Sequence, residues 1–212
     1  MKVLELFAGS CSFSDVAKEY GYETFTIDNG LDLLTDDHYS KIDLVEDILE
    51  LNTDDIPFSP DIIWASPPCT TFSIASCGHH WNAPDEQGIR IPKTNEAEIG
   101  LLLLEKTIFI MNELQPKYYV IENPRGLMRK MGAVYYLSRH TVTYCQYGDS
   151  RMKPTDIWTN ADWTPRPMCK NGMSCHESAP RGSKTGTQGL KGAYERSKVP
   201  YELCKELLEV MI

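Results

Sequence analysis

The chain has 212 residues, 42% of them hydrophobic and 24% charged, with a formal net charge of −9, values that fit one globular domain with a small appendage and exclude a disordered polymer. The N-terminus lacks the pattern of a signal peptide, the apolar-rich stretch from Ile99 to Leu114 is broken by Glu105, Lys106, Asn112 and Glu113, and seven scattered cysteines do not read as a secreted disulfide framework. A cytoplasmic protein with reduced thiols and no membrane segment is therefore expected.

The opening run Val3–Ala8 is apolar and leads through Gly9-Ser10-Cys11-Ser12 into Phe13–Tyr20, which has helical spacing. Strand, tight turn and helix follow one another there, and the small turn lets a nucleoside-bearing ligand lie against the backbone. Glu23–Ile27 is a second strand-like run ending at Asp28, an acid suited to ribose hydroxyls or, more plainly, to capping a turn.

Asp61–Ala65 repeats the pattern and ends at Ser66-Pro67-Pro68-Cys69. Two prolines stiffen the strand exit and present a thiol at the rim of the sheet, a better place for a nucleophile than for a packed cysteine. Ala75–Thr94 follows as either a mobile loop hinged at Gly78 and Gly88 or an ordered one packed by Trp81. Asn95–Leu114 has helical periodicity with Ile99, Leu102, Leu103, Ile110, Met111 and Leu114 on one face. Tyr118–Ile121 is a further strand, ending at Glu122-Asn123-Pro124.

His140–Cys145 and Asp156–Thr159 are strand-like, residues 161–192 are irregular and rich in Gly and Pro, and Tyr201–Met211 is a helix opened by Pro200. Strands alternating with helices predict an α/β fold with a doubly wound, mostly parallel sheet whose ligands sit at the carboxyl ends of the strands. Three regions are expected: a catalytic part over 1–160, a reduced insert over 161–192, and a returning helix over 193–212. Acidic residues dominate the chain to residue 116 and basic ones residues 117–200, so a polyanion is expected to meet the second half unless the charges average out on folding.

In their order, these segments resemble the cytosine-C5 DNA methyltransferase family, whose members include restriction–modification enzymes, and the compact layout resembles its short bacteriophage-encoded methylases. The resemblance implies a Rossmann-like fold and S-adenosylmethionine held by Phe7, Ala8, Gly9 and Ser12, by Asp28 at the ribose, by Asp47 and Ile48 at the adenine, and by Pro68, Ser197 and Val199. It implies that Cys69 attacks C6 of a cytosine, that Glu122 holds the N3 and N4 edge, and that Arg151 or Lys153 supplies positive charge. Pro124 stands where the family has valine, and Arg196 where it has asparagine.

DNA carrying a single-stranded or flipped-out cytosine is the implied substrate, and the short insert leaves room for a partner protein or homodimer that supplies target recognition. Two other outcomes follow from the same residues: a cofactor- or DNA-binding antirestriction partner without turnover, or an RNA cytosine-C5 methyltransferase. Cys169, Cys175 and His176, with Cys145 as a fourth ligand, could form a zinc site, but their spacing matches no familiar finger and free thiols are the expected state.

Overall fold

The computed structural model describes residues 1–31, 35–170, 172–178 and 192–212. Seven strands form one sheet: β1 (Lys2–Leu6), β2 (Glu23–Asp28), β3 (Leu44–Val45), β4 (Ile62–Ala65), β5 (Tyr118–Pro124), β6 (Arg139–Thr143) and β7 (Pro154–Thr159). Their order is β3-β2-β1-β4-β5-β7-β6, with β7 antiparallel to both of its neighbours and every other pair parallel. The order reverses at β1 and β4, and the glycine turn and the Cys69 loop leave the carboxyl ends of those two strands, where open α/β sheets bind ligands.

Along β1 the side chains alternate between two cores. Leu4 and Leu6 join Ile27, Ile63, Ala65 and Ile121 on one side, while Val3 joins Ile62, Trp64, Val120 and Ile157 on the other. The second side is covered by α1 (Ser12–Glu19) and α6 (Tyr201–Glu209). Leu203, Leu207 and Leu208 on α6 and Met211 just beyond it are fully buried, and each contributes about 1.5–3 kcal/mol of burial energy. Hydrogen bonds of 2.7 Å from Tyr20 to Glu209 and from Tyr201 to Glu19 lock the two helices together. Short helices α2 (Asp36–Tyr39), α3 (Cys77–His80) and α5 (Ala193–Ser197) lie in the connections.

The long helix α4 (Asn95–Leu114) is capped by the Thr94 side chain, which accepts from the Ala97 amide, and it ends at Gln115 in the left-handed region. Its buried face is Ala97, Gly100, Leu104, Thr107, Ile110 and Met111, whereas Ile99 and Leu102, expected to be buried, are 40% and 46% exposed. The helix is apolar on most sides, so periodicity does not choose a face. Close packing does: a Cβ on Gly100 would lie 2.8 Å from Thr71 Oγ1.

The described part of the insert, up to residue 178, is irregular but tied down. Trp163 is buried with its Nε1 donating to Glu206 at 3.0 Å, and Arg166 pairs with Glu206 at 2.7 Å while stacking on Tyr147. The remainder of the expected recognition segment, 179–191, lies outside the described residues. Among the described residues, no helix is long and apolar enough to cross a membrane.

Candidate active site

The turn after β1 carries Phe7, Gly9 and Cys11 at positive φ (56°, 43° and 54°), two of them non-glycine residues in a region side chains disfavour. Asp28, one strand away, holds this turn: one carboxylate oxygen accepts from the Gly9 amide at 3.0 Å and the other from Gly30 at 2.8 Å. The late segment closes in from the opposite side. The Val199 amide donates to Ser12 Oγ at 3.1 Å, and Ser197 Oγ lies 3.9 Å from where a Gly9 Cβ would stand, the same distance as Asp28 Oδ2. Gly9, Ser12, Asp28, Ser197 and Val199 are therefore gathered around one turn, where the missing Cβ of Gly9 leaves backbone bare between Asp28 and Ser197. Phe7 and Ala8 belong to the same turn, and Tyr194, stacked on His38, packs behind it with Ala8 and Cys11. Asp47 and Ile48 differ in character: Asp47 is exposed and caps its own turn through the Leu49 amide, and Ile48 is buried in the core.

Cys69 leaves β4 half-buried, after a buried Pro67 and an exposed Pro68. Several contacts pin the loop that bears it. The Asn123 side-chain amide donates to the Pro67 carbonyl at 2.7 Å, the Leu127 amide to the Phe72 carbonyl at 2.7 Å, and Trp81 Nε1 to the Thr71 carbonyl at 3.0 Å. Gly126 is required for this docking because a Cβ there would fall 2.3 Å from the Phe72 carbonyl oxygen. Trp81 is buried and stacks near Phe72, so the base of the 75–94 segment is ordered, while residues 82–89 at its tip are exposed.

Glu122 lies in the carboxyl-terminal half of the neighbouring strand β5, one residue past its last pairing with β4, with 4% exposure. Its Oε1 accepts a 2.6 Å hydrogen bond from Tyr144 and lies 3.9 Å from Lys153 Nζ, which also sits over the Tyr144 ring. Burial holds the Tyr144 hydroxyl well above its usual pKa, so it stays a donor. Burial also pushes the Cys69 thiol up; Lys153 acts against that rise and Glu122 adds to it, so both belong to the electrostatic surroundings of the sulfur. Arg151, the other basic candidate, is committed elsewhere. Its guanidinium forks onto Asp149 and reaches the Arg196 and Lys198 carbonyls at 3.3 and 3.4 Å, which ties the late segment down. A cleft of about 420 Å³ beside Arg151 and Val199 contains neither Cys69 nor Gly9.

Cys145, Cys169, Cys175 and His176 come together at one place, all four ligand atoms within 4.8 Å of one another. Tyr144 and the Asn123–Pro67 clamp were not legible beforehand. Tyr144 falls in the strand-like run His140–Cys145, and nothing in the Glu122-Asn123-Pro124 motif names a partner for Asn123.

The model of the C-5 cytosine-specific DNA methylase family matches residues 1–136. A Frog virus 3 (isolate Goorha) protein named as a probable DNA (cytosine-5)-methyltransferase is 30% identical over 230 residues, covering 99% of this chain and 100% of that relative. Among solved structures, a protein encoded within an E. coli prophage and assigned as a DNA modification methyltransferase aligns with TM-score 0.53 and 17% identity, over 77% of this chain and 49% of its own. The Entamoeba histolytica methyltransferase EhMeth aligns with TM-score 0.52 and 11% identity, over 75% of this chain and 52% of its own. The chain thus spans about half the length of these two structures, whose likeness is one of fold.

Proposed function

The chain belongs to the C-5 cytosine-specific DNA methylase family and is an S-adenosylmethionine-dependent DNA (cytosine-5)-methyltransferase, and we propose that it works through a covalent bond between Cys69 Sγ and C6 of the target cytosine. Cytosine C5 is a weak nucleophile. Attack of the thiolate on C6 moves the C5–C6 π pair onto C5, which then bonds to the donated methyl carbon as that carbon's bond to the donor sulfur breaks, the bonding pair staying on sulfur as a neutral thioether. Loss of the C5 proton lets the Cys69 sulfur depart and restores the aromatic ring.

In this reading S-adenosylmethionine, held by Gly9, Ser12, Asp28, Ser197 and Val199, supplies the methyl group as an electrophile. Glu122 holds the N3 and N4 edge of the base as charge develops, oriented by the Tyr144 hydroxyl. Lys153 is the cation that favours the Cys69 thiolate against its burial, and Arg151 is a positioning residue that fixes Asp149 to the late segment. The cytosine must leave the base stack to reach a half-buried sulfur, at a cost of a few kcal/mol in duplex DNA. The shortness of the insert over 161–192 supports either a short target site or recognition supplied by a partner.

The observation that carries the proposal is the pairing of parallel neighbours β4 and β5, whose carboxyl ends have Cys69 and Glu122 at or near them and are clamped by the 2.7 Å bond from Asn123 to Pro67. Duplex DNA containing 5-fluorocytosine, incubated with the cofactor, is expected to trap an adduct with the wild-type chain and none with Cys69→Ala. Methyl transfer to ordinary DNA without any trapped adduct, or an adduct that persists in the variant, would overturn it.

A further inference from the structure

We propose that Cys145, Cys169, Cys175 and His176 bind a structural zinc ion through three thiolates and one imidazole. None of these residues takes part in the methyl-transfer reading, and the proposal stands apart from it.

The ligand atoms already outline a coordination shell. A tetrahedral ion with Zn–S bonds of about 2.3 Å and a Zn–N bond of about 2.0 Å requires sulfur–sulfur edges of about 3.8 Å and sulfur–nitrogen edges of about 3.5 Å. The Cys175 and Cys145 sulfurs are 3.7 Å apart, and His176 Nδ1 lies 3.4 Å from Cys169 Sγ and 3.7 Å from Cys175 Sγ. Cys169 and Cys175 are 3.1 Å apart, closer than the ideal edge but far beyond a disulfide bond of about 2.05 Å. All seven cysteines are free.

The surroundings fit a closed site. Cys145 and Cys169 are buried, and His176 Nε2 is buried with no hydrogen-bond partner among the described residues, so the imidazole's polar contacts are with sulfur. Three thiolates and a histidine are soft ligands that favour zinc over magnesium or calcium, and four protein ligands leave no position for a reacting water.

The chain path shows what such an ion would hold. Cys145 sits in the one-turn 3-10 helix Tyr144–Tyr147, immediately after the tyrosine that meets Glu122. The other three ligands come from the insert, whose backbone is tied to the same connection by bonds from Cys169 N to Thr143 Oγ1 at 2.8 Å and from Glu177 N to the Ser150 carbonyl at 2.9 Å. An insert with few aliphatic residues has little core of its own, and metal binding supplies the missing folding energy. Zinc would thus staple the insert to the segment that carries Tyr144 and Lys153.

The full-length chain, purified under reducing conditions without added metal and dialysed, is expected to hold one zinc per chain by elemental mass spectrometry. After chelator stripping, Co²⁺ alone is expected to give thiolate-to-cobalt absorption and tetrahedral visible bands. Cys175→Ser and His176→Ala should lower zinc content at least ~10-fold or change the cobalt spectrum, with Cys77→Ser as an unaffected control. Should either variant fail to fold, the wild-type cobalt spectrum still decides. A wild-type chain that takes up neither metal, or cobalt bands untouched by folded Cys175→Ser and His176→Ala variants, overturns the proposal.

Discussion

The Tyr144 hydroxyl donates to Glu122 Oε1 at 2.6 Å, although Tyr144 opens the 3-10 turn directly after β6 and Glu122 lies in β5, two strands that β7 separates in the sheet. Both side chains are buried, so no water replaces that donor if it is lost. Tyr144→Phe keeps the ring under Lys153 and removes only the oxygen. The expected result is a fall in kcat of about 10- to 100-fold, corresponding to about 1.5–3 kcal/mol for a hydrogen bond to a charged group, with KM for the cofactor unchanged. Steady-state kinetics on a DNA substrate check this, and an equal loss in cofactor affinity would point to misfolding instead.

Lys153 opposes the upward push that burial exerts on the Cys69 thiol. Lys153→Met retains the alkyl stem over Tyr144 and removes the charge, so the thiol should rise further and the thiolate become scarcer at a given pH. The rate of Cys69 alkylation by iodoacetamide, followed against pH by peptide mass spectrometry, should have its alkaline limb displaced to higher pH. Lys153→Arg should restore most of the wild-type profile. Identical profiles in all three proteins would remove Lys153 from the sulfur's surroundings.

Two glycines grip the Cys69 loop with different severity. A Cβ at Gly126 meets a backbone oxygen of Phe72 at 2.3 Å, which only a shift of the loop can relieve, whereas one at Gly100 meets the Thr71 hydroxyl at 2.8 Å. Gly126→Ala is expected to cost about 1–3 kcal/mol of stability, as overpacking does, and to lower kcat; Gly100→Ala should be milder because a side chain can rotate and alanine favours the helix. Urea unfolding and methyl-transfer rates on both variants test the ranking.

Glu5 is buried behind the first turn of α1, where its carboxylate accepts from the Phe13 and Ser14 amides at 3.4 and 2.7 Å. Burial outweighs these bonds and pushes its pKa from 4.5 up to about 7. The folded chain therefore holds this proton more tightly than the unfolded chain does. Its contribution to stability is fully present below pH 4.5, declines as pH rises between 4.5 and about 7, and is lost above that. Glu5→Gln, which cannot ionise, should flatten this dependence, so that its stability relative to wild type improves by up to about 3 kcal/mol between pH 5 and pH 8. Urea unfolding at the two pH values measures the change, and a constant offset would dismiss the linkage.

Local motifs carried much of this architecture in readable form. The positions of Gly9, Asp28, Cys69 and Glu122, at or near the carboxyl ends of β1, β2, β4 and β5, could be read because a parallel sheet puts its chemistry there, and the expectation of a mostly parallel sheet leaves room for the antiparallel β7. The buried face of α4 was misread, since Ile99 and Leu102 look like core residues and Gly100 does not; the deciding contact comes from Thr71, about thirty positions earlier. Arg151 and Lys153 were indistinguishable in sequence. Asp149, two residues before Arg151, claims the guanidinium and leaves the lysine beside Glu122. Tyr144 could not be found because nothing local records a partner two strands away.

The bond from the Val199 amide to Ser12 Oγ joins positions 187 residues apart. During synthesis at the ribosome, the glycine turn is made well before its opposite wall, which emerges 187 residues after Ser12 and just ahead of the helix that covers α1. Contacts of such long sequence separation form late and slow folding. A nascent chain that has not yet reached Val199 would leave the β1 turn without that wall, so under the proposed reading donor capture should await synthesis of that residue.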